Sequence, residues 1–452
     1  MTPCAKNLLR FDSLGSKQIL ATFDGGRITS DTGVLLLREI DKRTGLIDAL
    51  SNAIPDPRDP SKIEHDQKTM LAQRIFGIAL GYEDLNDHNT MRFDPAMCVA
   101  VEQSPSLHPD AALASSPTLS RFENRVDRKA LIRMSEALID DFIAAHDQPP
   151  EGLILDFDAT DSIIHGHQEG RFFHGYYDNH CYLPLYVMCG EALLVAYLRP
   201  SNIDGSKHTK AILKLLTLKL RAAWPNVKIT IRADSGFCRW RLLRWCDSHD
   251  IGYVIGLARN PTLEKMSVGL MEDAKRLFDR TKTKQRLFST VYYGAKSWDR
   301  KRRVIVKAEH TEKGPNPRFV VTNVPGDADF LYDKIYCQRG EMENRIKEQQ
   351  LGLFADRTSC KRFLANQFRV LLSAAAYVLM ERLRRIGLAG TEMAKAQVST
   401  IRLKLLKVAS KAVVTVRRVV FQMSSSYPYR ELFEKVLKNL EGVGQVTPQP
   451  PS

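Results

Sequence analysis

The chain has 452 residues, 44% hydrophobic and 26% charged, with a formal net charge of +14 and a pI near 9.3. That composition supplies a sizeable core and two or three domains of ordinary globular character. No stretch reads as long and apolar enough to span a bilayer, which excludes a membrane partner at this level. The basic surplus points instead to a polyanion, because neutralised phosphates release counterions and drive binding. Met1 to Arg10 lacks a basic-then-apolar leader pattern, so a cytoplasmic protein is expected. The eight cysteines are scattered without a Cys-x-x-Cys pair and read as reduced, mostly buried side chains.

Residues 1–147 read as a mainly helical N-terminal region that binds DNA. Asp24-Gly25-Gly26 is a turn after the apolar run Ile19 to Phe23, and Ser30 or Asp31 caps a helix carrying Val34, Leu35, Leu37 and Ile40. Met70, Leu71, Ile75 and Ile78 recur at helical spacing. Asp94-Pro95 and Ser116-Pro117 open further helices, and Asp127 to His146 forms another. Asp147-Gln148-Pro149-Pro150 breaks the pattern and marks a boundary.

Between 148 and 260 the texture alternates. Leu153 to Phe157 is a strand, Cys181 to Cys189 and Leu193 to Leu198 form a hairpin around Gly190-Glu191, and Lys207 to Trp224 is an amphipathic helix. Strand, helix and strand follow at Val227 to Ala233, Trp240 to Ser248 and Ile251 to Leu257, with Gly236 and Gly256 as turn glycines. A mixed sheet with helices on its faces follows. Residues 261–330 break the alternation and read as a basic β-rich insertion, with strands at Phe288 to Tyr293, Val304 to Lys307 and Arg318 to Thr322. Helices resume over Leu331 to Gln350 and Lys361 to Arg385, so 331–390 rejoins the core. Residues 391–445 are a basic C-terminal region, and 446–452 a Pro-rich tail expected to be disordered.

Two acids stand where apolar runs end. Leu155-Asp156-Phe157-Asp158-Ala159-Thr160 closes the first strand of the alternating region, and Ile231-Arg232-Ala233-Asp234-Ser235-Gly236-Phe237 closes a later one. Carboxylates at the carboxyl ends of neighbouring strands lie where α/β sheets place ligands, and hard divalent cations take oxygen ligands. Turn or cap duty after a strand is the ordinary role of such an Asp. A third acid, Glu343, follows Tyr336 and Arg339 in the pattern Y-x2-R-x3-E. Three-and-four spacing puts 336, 339, 343, 347 and 350 on one helix face. A solvated stripe of ion pairs is the ordinary alternative for that face.

These three blocks, Asp158-Ala159-Thr160, Asp234-Ser235-Gly236-Phe237 and Tyr336-x2-Arg339-x3-Glu343, resemble the signatures of DDE insertion-sequence transposases. Gly170 to Tyr177 (GRFFHGYY), Tyr182 to Leu185 (YLPL), Leu198 to Pro200 (LRP), Gly256 to Asn260 (GLARN) and Gly81 to Asp87 (GYEDLND) look more specifically like the family numbered thirteen-eighty, within DDE transposase group 1. The resemblance covers nearly the whole chain. It implies a ribonuclease-H-like catalytic core with a β-rich insertion, preceded by the helical N-terminal domain. It also implies that Asp158, Asp234 and Glu343 hold two Mg²⁺ ions, with Mn²⁺ able to substitute. Double-stranded DNA, as inverted-repeat ends and as target, is the implied partner of a homodimer or larger assembly at the nucleoid. Tyr336 and Arg339 would contact DNA phosphate. The signature usually carries lysine seven residues after the glutamate. Gln350 stands there instead, with Lys347 one turn away as its replacement or lost activity as the other reading.

Weaker signals remain. Trp298, flanked by Lys296, Arg300, Lys301, Arg302 and Arg303, either stacks on an extruded base or packs the insertion. His165, His167, His174 and His180 cluster without the spacing or cysteine partner of a zinc site and read as loop and strand residues near a DNA groove. Three functions compete: a transposase, a decayed or repurposed DNA-binding protein, and a nuclease that cuts without joining.

Overall fold

The computed structural model describes residues 8–105 and 112–442 and folds into two compact units. One gathers Met1–Ile47, Asp56–Phe122 and Arg382–Ser452; the other gathers Asp48–Pro55 and Glu123–Glu381. The boundary expected at 147 therefore falls inside the second unit, and the N- and C-terminal regions expected to be separate share the first. The tail at 446–452 lies outside the described residues.

In the first unit, helix Val34–Thr44 buries Val34, Leu36, Leu37 and Ile40 and stops at Gly45, whose φ of 68° is a left-handed cap. Asp31 does not cap this helix. Its carboxylate accepts from Tyr82 Oη at 2.7 Å and pairs with Lys407 Nζ at 2.7 Å. Helix Gln67–Leu80 opens at Asp66, which accepts from the Thr69 N–H at 2.8 Å. The early residues are not helical throughout: Leu9–Leu14 and Lys17–Ala21 pair as a hairpin. Arg27–Thr29 joins Ser410–Val414 and Val419–Met423 in a three-stranded sheet. That pairing links chain ends nearly four hundred residues apart, which no local pattern encodes.

The second unit is built on a nine-stranded sheet. Its strands are β1 (Gly152–Ala159), β2 (Leu185–Cys189), β3 (Ala192–Tyr197), β4 (Lys228–Ala233), β5 (Ile251–Leu257), β6 (Gln285–Tyr293), β7 (Arg302–Thr311), β8 (Gly314–Pro315) and β9 (Arg318–Thr322). The order is β6-β7-β9-β5-β4-β1-β2-β3, with β8 on β7. β1, β4 and β5 run parallel to one another, while β1 pairs antiparallel with β2 and β5 with β9. Leu155, Phe157, Ile229, Ile231 and Ile255 are buried among them. Each contributes about 1.5–3 kcal/mol of transfer free energy.

Residues 261–330, expected as a basic β-rich insertion, open with helix Pro261–Thr281, after which β6, β7 and β9 extend the central sheet through antiparallel pairing of β9 to β5. Two expectations change. The first arm of the predicted hairpin splits at Pro184, which has no N–H for a ladder, so Asn179–Tyr182 leaves for a small sheet of its own. Helix Phe363–Arg382 and the turns after it, to Gly387, are long and apolar enough to cross a membrane, with mean hydropathy 1.4. Asn366, Gln367 and Arg369 hide that run near its start, and 89% of the window is buried, as in a core helix.

Candidate active site

The site grows from the register of the parallel strands. Arg232 pairs with Asp156 and Ala233 with Phe157 across β4 and β1, so the next residues, Asp234 and Asp158, come side by side, Asp234 just past the end of β4 and Asp158 still in β1, paired with Tyr186 of β2. Ala233 also pairs with Ile255, which sets Gly256 of β5 beside Asp234. Gly256 is thus a strand residue, not a turn. A Cβ there would lie 2.6 Å from Tyr336 Oη and 2.9 Å from the Ser235 nitrogen. Glycine is required by close approach. Asp234 also does the ordinary work of a cap, accepting from the Gly236 N–H at 2.8 Å. Asp158 accepts from the Ala159 N–H at 3.0 Å.

The third acid arrives on an irregular helix. A π-helical segment, Leu331–Tyr336, and a 3-10 turn, Cys337–Arg339, lead into the α-helix Gly340–Lys347, and a second π segment, Glu348–Gly352, follows. π-helical turns inside helices often mark functional sites. They also upset the regular spacing behind the five-residue stripe. Arg339 stands between two acids: Nη2 is 2.6 Å from Glu343 Oε1 and Nη1 is 3.9 Å from Asp158 Oδ2.

Electrostatics ties the groups together. Burial pushes the Asp158 carboxyl up to about 7; Arg339 opposes that shift, while Asp234 and Glu343 add to it by repulsion. Burial works against the Arg339 charge, but Asp158, Glu343, Tyr336 and Asp234 together raise its pKa. The Tyr336 phenol is raised by burial, with Arg339 lowering it and Asp234 raising it. Asp158 thus feels Arg339, Asp234 and Glu343, and Arg339 feels all three acids and Tyr336, near the carboxyl ends of β1 and β4.

Among the described residues, no group of three or more His, Cys, Asp or Glu side chains is drawn together tightly enough to form a metal cage. The chemistry of the donors still suits a hard divalent cation: all are carboxylate oxygens, and their mutual repulsion is what a cation relieves. Arg339 supplies the balancing positive charge here.

Sequence reasoning missed a second arrangement beneath the acids. Arg232 donates from Nε and Nη2 to the two carboxylate oxygens of Asp156, at 2.5 and 2.6 Å, in a buried fork. Its Nη1 donates to the Ile335 carbonyl at 2.6 Å. Each partner sits two residues before an acid, hence on the same strand face, and that repeated spacing was the available signal.

The other expected site residues are placed as follows. Lys347 is exposed. Gln350 Nε2 donates to the Asp161 carbonyl at 3.0 Å, fastening the helix to the segment after β1. Trp298 packs on the Tyr293 ring, centroids 5.6 Å apart, with the Arg302 guanidinium 5.5 Å from its own centroid. Arg302 is buried and pairs with Asp247 and Asp299, both at 2.9 Å, so it does not face solvent. Arg303 donates to the carbonyls of Val324 and Gly326. Arg300 is exposed but pairs with Asp247 at 2.6 Å, and Lys301 is exposed.

A mixed α/β sheet carries two acids on adjacent parallel strands, and Arg339 links one of them to a third on a helix, which defines an acid-centred candidate site. The chain belongs to the family described as transposase DDE domain group 1, whose pattern matches residues 11–445. No curated protein matches it in sequence. Among solved structures it is similar to a cryo-EM structure of a piggyBac transposase synaptic complex with hairpin DNA, with 10% identity and a TM-score of 0.41 over 93% of this chain and 86% of that one.

Proposed function

We propose that the protein cuts the ends of an insertion sequence, of the family numbered thirteen-eighty, and joins them to target DNA on a ribonuclease-H-like core. The observation that carries the reading is geometric: adjacent parallel strands set Asp158 and Asp234 side by side, and Arg339 of the third block stands between Asp158 and Glu343. Asp158, Asp234 and Glu343 would hold two divalent ions, Mg²⁺ or Mn²⁺, which when bound activate the attacking oxygen and steady the leaving oxygen of an in-line phosphoryl transfer.

The side chains of the protein do the positioning. Arg339, released from Glu343 when that carboxylate is otherwise engaged, presents a planar fork suited to a phosphate. Tyr336, held against Gly256, presents its hydroxyl beside the Asp234 turn. Lys347, Lys301 and Arg300 supply exposed positive charge for the backbone of double-stranded DNA, in keeping with the net charge of +14. A homodimer or larger assembly in the cytoplasm would bring two ends together. Gln350 has a structural partner of its own in the Asp161 carbonyl.

The test is incubation of the purified protein with its own element ends, Mg²⁺ and a target plasmid. Cleaved ends and joined products are expected. Binding without cleavage would return the protein to a DNA-binding role, and cleavage without joined product would make it a nuclease.

A further inference from the structure

The chain between β1 and β2 forms a small sheet whose exposed surface the acid site does not explain. Ser162–Ile163, Phe172–His174 and Asn179–Tyr182 pair in the order first, third, second, and the tip runs from Gly175 to Asp178. The outward aromatics are unusually bare: Phe173 is 55% exposed and Tyr176 is 86% exposed. Single exposed apolar side chains need no explanation, but here they share one short hairpin. Hydrogen bonds hold the backbone at the foot of the hairpin. Ser201 Oγ donates to the Phe172 carbonyl at 2.9 Å, and Tyr182 Oη donates to the Glu169 carbonyl at 2.6 Å. Phe173 lies edge-on to His180 with centroids 5.5 Å apart, and Tyr176 edge-on to Tyr177 at 5.0 Å.

The hairpin is also anchored to the site. Tyr177 Oη donates to the Ala159 carbonyl at 3.5 Å, next to Asp158. Burial raises the Tyr177 phenol, and the charges of Asp161 and Asp158 raise it further, up to about 12. The platform is therefore continuous with the acids through Tyr177. Arg171 lies at its base, donating to the Gly166 carbonyl and near His167. Flat exposed rings beside a phosphate-handling site, with basic side chains at the edge, suit the π-face of a nucleobase, and stacking of this kind tolerates any base.

We propose that the Phe172–Tyr182 hairpin is a stacking platform for an unpaired base of the DNA strand whose phosphate enters the acid site, with Tyr176 as the main contact and Phe173 beside it. This rests on the transposase reading above. The bland alternatives, a contact with a second protein copy or no contact at all, are outcomes of the test. Trp298, the other aromatic beside basic side chains, is half-buried and already packs on Tyr293 and Arg302.

The experiment uses the full-length protein and duplexes of the element end carrying 2-aminopurine at successive positions flanking the cleavage site. Fluorescence is read on binding without Mg²⁺, and cleavage is then timed at saturating protein. The wild type should change the fluorescence at one position. Tyr176→Ala should lose that change and cut roughly tenfold more slowly with much smaller loss of end affinity, while Tyr176→Phe should restore both. Tyr176 is so exposed that its truncation leaves the core intact. If the wild type cuts the end but Tyr176→Ala and Phe173→Ala give the same fluorescence and rate, the platform is overturned. A change in sedimentation alone would assign the hairpin to a protein contact and overturn it equally. Failure of the wild type to cut any element end would instead overturn the transposase reading beneath it.

Discussion

Arg232 and Asp156 form a buried fork beneath the acids, and the same guanidinium reaches the Ile335 carbonyl one residue before Tyr336. One side chain thus ties the two strands that deliver Asp158 and Asp234 to the segment that leads to Glu343. Removing a single member of such a pair strands a charge. Arg232→Met should destabilise the protein by about 3–5 kcal/mol, whereas Arg232→Met with Asp156→Leu should recover much of that. Arg232→Lys keeps the charge but cannot serve three acceptors in one plane, so it should lower the cleavage rate at saturating DNA more than it lowers end affinity. Denaturant titration and single-turnover cleavage check the three variants. Equal stability of Arg232→Met and wild type would show that the fork is dispensable.

Gly256→Ala tests the packing of Tyr336. The added methyl would sit 2.6 Å from Tyr336 Oη and 2.9 Å from the Ser235 nitrogen. Overpacking of this kind costs about 1–3 kcal/mol and would push the phenol away from the Asp234 turn. Cleavage should fall while the melting temperature drops by only a few degrees, and Gly256→Ala with Tyr336→Phe should regain only part of the stability, because the methyl still meets the Ser235 backbone. Unchanged melting and cleavage in Gly256→Ala would mean that Tyr336 sits elsewhere in the working enzyme.

The raised Asp158 carboxyl makes a pH prediction for the metal-free protein. Its folded pKa, about 7, lies above the ordinary carboxyl value of 3.8. Its favourable contribution is therefore fully present below pH 3.8 and is lost as pH rises through 7. Asp158→Asn removes that loss, so it should be more stable than wild type at pH 8 by an amount of order 1–4 kcal/mol, with the gap closing towards pH 4. Thermal melts in chelator across that range decide it, and a gap that is constant with pH would contradict the burial of the charge.

Lys347 and Gln350 separate two roles that regular helical spacing had merged. Lys347 is exposed, and Lys347→Ala should flatten the salt dependence of end binding by about one unit of slope. Gln350→Ala should leave that slope alone and cost about 0.5–1.5 kcal/mol of stability through its bond to Asp161. Binding isotherms over a salt series distinguish them, and a slope change in Gln350→Ala would reverse the assignment.

What the sequence revealed follows from the range of the forces involved. Asp158 and Asp234 were legible because an apolar run ending in an acid is a local pattern, and adjacent parallel strands convert it into proximity. Glu343 needed the order of all three blocks. The Arg232–Asp156 fork was hidden because its partners lie 76 residues apart and each reads alone as a polar residue in a strand. The extension of the sheet by β9 was hidden for the same reason, since pairing across β5 leaves no periodic trace in either strand. The π-helical segments around Tyr336 and Glu348 were missed because they contain ordinary helix formers, and tertiary contacts decide their winding.

The central claim is that Asp158, Asp234 and Glu343 hold divalent metal together, and the most direct measurement is Mn²⁺ binding by the full-length protein with its element-end duplex, followed by electron paramagnetic resonance. The account predicts two ions per chain in the wild type and a loss of bound Mn²⁺ in each of Asp158→Asn, Asp234→Asn and Glu343→Gln, with end binding retained. Wild-type Mn²⁺ occupancy in any one of the three would remove that residue from the site and contradict the account.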